Sequence, residues 1–177
     1  TIGGSAAADR NIISGSGSHG INSTGITGLT VQGNYIGVGA DGTTGVGNGG
    51  VGVLAVGNTS TQIGGNTATE SNVISSNGQG VSIEGSGSAS NVISGNRIGT
   101  NAAGTADLGN GQAGVLLDNS PGTIVGGTTS GERNVISGND NDGIWLYGDN
   151  ADDNVIQGNY IGTNAAGTGD LGNTQRG

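Results

Sequence analysis

The sequence predicts an all-β chain wound as a three-faced parallel β-helix, and three observations carry that prediction. A unit of about 62 residues returns almost three times, which is the mark of a solenoid. Asn72-Val73-Ile74-Ser75 recurs as Asn134-Val135-Ile136-Ser137, and Gly95-Asn96-Arg97-Ile98-Gly99 as Gly158-Asn159-Tyr160-Ile161-Gly162 and Gly33-Asn34-Tyr35-Ile36-Gly37. Apolar residues alternate with polar ones, as in Val81-Ser82-Ile83-Glu84, a period of two that fits strand and rejects helix. The runs are short and bounded by Gly, Asn and Ser, which supply turns.

Each unit divides into two coils of three strands. One coil runs from Gly52 to Gln79, with strands near Gly52–Ala55, Thr61–Gly65 and Asn72–Ser76. The next runs from Gly80 to Gln112, with strands near Val81–Glu84, Asn91–Gly95 and Asn96–Gly99. It ends in a tract, Thr100–Asn110, that returns nearly verbatim as Thr163–Asn173. The same pair follows over Gly114–Asp142 and Gly143–Asn173, giving about six coils in all. Residues 1–177 therefore read as a single segment.

Alternation sets the facing of every strand. On the first face Val53, Val81, Val115 and Ile144 point inward, as do Ala55, Ile83, Leu117 and Leu146. On the second and third faces the inward residues are Ile63, Ile74, Ile93, Ile98, Val125, Ile136, Ile156 and Ile161. Asn72, Asn91, Asn134 and Asn154 open strands and are expected to stack at a turn as a structural ladder of side-chain amides. Gly95, Gly138 and Gly158, which follow such strands, are expected at positive φ. The outward Val73, Val135, Ile124 and Val155 predict an apolar stripe, covered either by the long tracts, with Leu108 and Leu171 as anchors, or by neighbouring solenoids packed against it.

The motifs Asn-Val-Ile-Ser-Gly-Asn and Gly-Asn-Tyr-Ile-Gly-Thr-Asn resemble the right-handed parallel β-helix repeats of large secreted and surface bacterial proteins. The resemblance covers essentially the whole chain and implies a right-handed β-solenoid and an extracellular or cell-surface location. It implies no single activity, because this fold hosts pectinases, lyases, epimerases, adhesins and plain stalks.

Composition narrows the partners. With 42 Gly in 177 residues, net charge −9, four Arg and no Lys, the chain lacks the basic stripe that nucleic acid or an anionic membrane requires. No apolar run approaches a membrane span of roughly 20 residues. Cysteine is absent, which removes disulfides and thiolate metal sites.

Candidate chemistry lies on the outward first face. Glu84 and Asp118 fall in one column about one strand spacing, ~5 Å, apart, as in the carboxylate pair of a retaining glycosidase. Trp145 and Tyr147 on the following coil could present an aromatic platform to a glycan. Glu84 and Asp118 also read as ordinary solvated strand residues, and the pectinase elements Asn-Thr-Asp, Asp-Asp, Gly-His-Gly and Arg-Ile-Lys are missing. The sequence thus offers no complete catalytic set. Asp149, Asp152 and Asp153 could share a Ca²⁺ ion, or act as solvated turn residues; no cofactor is otherwise implied. His19 sits in a Gly/Ser turn with no second ligand nearby in sequence.

The ends carry the last expectation. Thr1–Gly4 matches Gln62–Gly65 in mid-coil, and Arg176-Gly177 matches Ala113-Gly114, where a coil begins. Neither end carries a capping element, so the two are expected to be complementary in phase. Copies stacked end to end, or flanking repeats, are the expected partners.

Overall fold

The computed structural model describes residues 1–177. It is an all-β solenoid of three parallel sheets, with one short 3-10 turn at Ala7–Asp9. The first face stacks Ile21–Thr24, Val51–Val56, Gln79–Glu84, Val115–Asp118 and Ile144–Tyr147. The second stacks Ile2–Gly3, Thr30–Gln32, Gln62–Gly64, Val92–Ser94, Ile124–Gly126 and Val155–Gln157. The third stacks Ile12–Ile13, Tyr35–Ile36, Val73–Ile74, Arg97–Ile98, Val135–Ile136 and Tyr160–Ile161. With five strands on one face and six on each of the others, the solenoid makes about five turns rather than six.

Parallel pairing one coil apart places like residues over like. Val53 pairs with Val81 and Val115 with Ile144; Ile63 pairs with Ile93, and Ile98 with Ile74 and Ile136. The core is one aliphatic column of fifteen buried residues with no aromatic ring in it, so it is thin enough for three short strands to enclose. Each fully buried Ile or Val contributes roughly 1.5–3 kcal/mol over its exposed state. Side chains alone leave the bends unexplained, because each bend buries backbone that no sheet satisfies.

Asparagine solves the bends. At the corner between the second and third faces, Asn11, Asn34, Asn72, Asn96, Asn134 and Asn159 form a continuous ladder. Each Nδ2 donates to the next Oδ1, at 2.9, 3.2, 2.9, 3.1 and 2.9 Å. The second Nδ2 hydrogen reaches a carbonyl of the second-face strand, as from Asn72 to Val31 and from Asn96 to Ile63. A second ladder turns the corner between the third and first faces through Asn48, Asn77, Asn110, Asn139 and Asn173, at 2.8, 3.2, 2.9 and 2.9 Å.

The four asparagines expected in one ladder are therefore sorted into two corners. Asn72 and Asn134 belong to the first ladder. Asn91 and Asn154 stand at the corner between the first and second faces, where they alternate with Thr61 and Thr123 and accept those residues' backbone N–H groups at 2.9 and 2.7 Å. The reason is the coil length. Strand-opening asparagines recur on two different faces, and sequence similarity alone does not say which corner each occupies. Gly95, Gly138 and Gly158 take φ of +70°, +78° and +70°, as their place beside these corners requires.

The long tracts fold back as small hairpins, closed by antiparallel bridges Val38–Gly45, Thr100–Asp107 and Thr163–Asp170. They also stack on one another, with Ala102 N–H donating to Gly42 and Ala165 N–H to Gly104. Glycine anchors them: a Cβ at Gly42, Gly104 or Gly167 would collide with Tyr35, Arg97 or Tyr160. Leu108 and Leu171 are only half-buried and are not the anchors that their hydrophobicity suggested. Coverage by these outward side chains and tracts leaves Val73 at 3% exposure and Val135 at 1%. Of the outward apolar residues, Ile124 and Val155 on the second face and Ile12 on the first strand of the third face stay exposed.

Polar loops are tied by carboxylates. Glu70 Oε2 accepts the Thr67 hydroxyl and the N–H groups of Asn66 and Thr67, and Glu132 Oε2 does the same with Thr129 and Thr128. Asp41 holds the hydroxyls and N–H groups of Thr43 and Thr44. These donors favour the charged form, led by the Thr67 hydroxyl for Glu70 and the Thr129 N–H for Glu132, and hold both glutamates below the ordinary range.

Two predictions follow from the corners and loops. Asn96→Ala orphans buried groups on both neighbouring coils and should cost about 1–3 kcal/mol per group left unpaired; Asn150→Ala, on an exposed turn, should cost under about 0.5 kcal/mol. Urea melts compare the two. For the glutamates, the folded chain binds fewer protons than the unfolded one, so their stabilisation is complete above the unfolded value of 4.5 and is lost as pH falls through the lower folded values. Glu70→Gln with Glu132→Gln should flatten the acid limb of a melting-temperature profile below that pH. An unchanged slope would exclude the loops as its source.

Candidate functional site

The first-face residues come together as the period of two dictates. Glu84 pairs in register with Asp118, Asp118 with Tyr147, and Leu116 with Trp145. Both carboxylates are half-buried and each is tied to its own strand or turn. Glu84 Oε1 accepts the Ser82 hydroxyl at 2.8 Å, and Asp118 Oδ1 accepts Asn119 Nδ2 at 2.8 Å. Trp145 and Tyr147 lie on the last coil in an edge-to-face arrangement, ring centres 5.5 Å apart, and are 38% and 56% exposed.

What this arrangement can do chemically is limited by its shape. A glycosidase pair must flank a bond held between them, with one group protonated and one charged. Glu84 and Asp118 stand side by side on a sheet surface, and none of the molecule's cavities is lined by them or by the two aromatics. The face offers a stackable aromatic edge beside two hydrogen-bond acceptors.

Asp149, Asp152 and Asp153 are exposed on the turn after the strand Ile144–Tyr147, and no group of three His, Asp or Glu side chains converges as a metal cage would require. His19 caps a coil corner: its Nδ1 accepts the Val51 N–H at 3.0 Å.

The concave surfaces lie elsewhere. One groove of about 600 Å³ runs over the second asparagine ladder, past Asn77, Asn110, Asp107 and Asp140. Another, of about 260 Å³, opens on the third face between Arg10 and Arg97. Burial pulls the Arg97 guanidinium below its ordinary value. Neither arginine stood out as a site from sequence, although a signal was present: Arg97 replaces the tyrosine of the Gly-Asn-Tyr-Ile-Gly motif.

Like charges opposed on adjacent strands repel. Glu84→Gln should therefore raise stability slightly, by about 0.2–0.5 kcal/mol, with the gain vanishing in an Asp118→Asn background. A double-mutant cycle by urea denaturation measures it. Comparison with protein-family models, with curated proteins and with solved structures gives no match to this chain, so its own geometry carries the functional reading.

Proposed function

We propose that this chain is a structural β-solenoid segment of an exported bacterial protein, part of a longer repeat array or of an end-to-end assembly of copies, with an adhesive role. The observation that carries the reading is the regular stacking of like residues on like through three parallel sheets, locked by two amide ladders that run along the axis. The inward Leu146 and Ile156 are each 41% exposed, whereas Leu117 and Val125, which pair with them on the coil before, are sealed. In an end-to-end assembly a second copy would cover them and extend both ladders. The repeat motifs resembling those of secreted and surface proteins support export.

A second reading has its own observation. Trp145 and Tyr147 project from the first face beside Asp118, so a glycan could stack there.

Light scattering over a concentration series tests the first reading. The 177-residue chain should grow along its axis, and Leu146→Lys with Ile156→Lys should suppress growth while leaving the inner coils folded. A monomer at every concentration would exclude self-stacking and leave only the array of flanking repeats. Glycan binding lost in Trp145→Ala and Tyr147→Ala would favour the second reading.

A further inference from the structure

The third face breaks its own pattern once. In the first repeat Arg10 Nε donates to the Gly33 carbonyl at 3.1 Å, and its guanidinium carbon lies 4.1 Å from the centre of the Tyr35 ring. In the last, Arg133 Nε donates to Gly158 at 2.9 Å, with the guanidinium 4.2 Å from Tyr160. Each pair is a cation held over an aromatic face and anchored to the next coil. In the middle repeat Ser71 stands where arginine is expected, and arginine stands where tyrosine is expected, at Arg97.

The exchange moves the charge from the loop to the strand. Arg97 lies under Gly104, its Nε is sealed from solvent, and that atom has no partner. The chain's salt bridge joins Arg176 to Asp142 and leaves Arg97 without a carboxylate. An unpaired, partly buried guanidinium presents a planar fork of donors whose natural complement is a carboxylate.

The surroundings form a site. Arg10, Tyr35, Ser71, Val73, Arg97 and Ser130 line one cavity of about 260 Å³. Tyr35 and Arg97 both pair with Val73, so they stand two strand spacings, about 10 Å, apart along the axis. The cavity therefore holds two cations in a chain of net charge −9. Its size falls just below the roughly 300 Å³ at which drug-sized sites begin, which suits a single ring or a short acid.

We propose that this groove binds a small carboxylate that also carries hydroxyl groups, its acid on Arg97 and its hydroxyls on Ser71 and Ser130. A singly charged acid is favoured over phosphate, because the loops that supply Ser71 and Ser130 also carry Glu70, next to Ser71, and Glu132, two positions after Ser130. The site is independent of the first face and of axial stacking.

Amide-resolved NMR titration of the 177-residue chain tests it with glucuronate, glycerate, glucose and inorganic phosphate as probes. Glucuronate or glycerate, each a singly charged hydroxy acid, should shift the amides of Gly95, Ala102 and Gly131 saturably, and glucose should not. Arg97→Gln should weaken that binding by about tenfold or more, with Arg97→Lys intermediate and Arg133→Gln, at the equivalent stacked pair, unchanged. Tighter glucuronate assigns a sugar acid and tighter glycerate a short hydroxy acid; both support the groove. Should Arg97→Gln lose its native spectrum, Arg10→Gln must weaken the same probe. The proposal is overturned if neither acid saturates, if phosphate or glucose binds as well as the acids, or if neither arginine variant alters binding.

Discussion

The fold rests on side-chain amides stacked along the solenoid axis. Three short parallel strands per coil need sharp corners, and a sharp corner buries N–H and C=O groups that the sheets do not reach. Asparagine suits such a corner because its amide has two donors and an acceptor oxygen with two lone pairs. Asn72 and Asn96 use all of them: one donor to the next amide, one to a strand carbonyl, and an oxygen shared between the previous amide and its backbone N–H. Each rung therefore fixes register between two coils, and a thin aliphatic core becomes sufficient.

Once the corners are set, the remaining differences between faces come from what lies over them. The first face carries no returning tract, and its outward residues run from sealed Ser82 through half-buried Glu84 and Asp118 to exposed Trp145 and Tyr147. The third face is crossed by hairpin tracts whose glycines press on Tyr35, Arg97 and Tyr160. Outward Val73 and Val135 consequently end up as buried as core residues, although they point away from the column. Concavity arises where a tract and a strand fail to fill the space between them.

Electrostatics follows the same division. Three of the chain's four arginines, Arg10, Arg97 and Arg133, gather on the third face, while Glu84 and Asp118 face out from the first. Local fields, and not the net charge of −9, decide what can dock. Two of those arginines are occupied by tyrosine rings and a carbonyl. Arg97 is the one whose Nε finds no partner, and it stands at a break in the repeat, where architecture does not account for the choice of residue.

The sequence by itself determined the period, the three faces, the inward set and the register, because a strand period of two and a repeated unit leave one way to bury Ile63, Ile74, Ile83 and their equivalents. It also placed Glu84 beside Asp118, since parallel stacking puts like positions one coil apart. Tertiary structure decided what depends on contacts across coils. It divided Asn72 and Asn134 from Asn91 and Asn154, drew Asn48, Asn77, Asn110, Asn139 and Asn173 into a second ladder, and buried Val73 beneath its neighbours. It also brought Arg10 and Arg97, 87 positions apart in the chain, into one groove. The physical reason is that facing is a local property of the backbone, whereas coverage, pairing and concavity are set by the side chains and tracts that neighbouring coils bring over a strand.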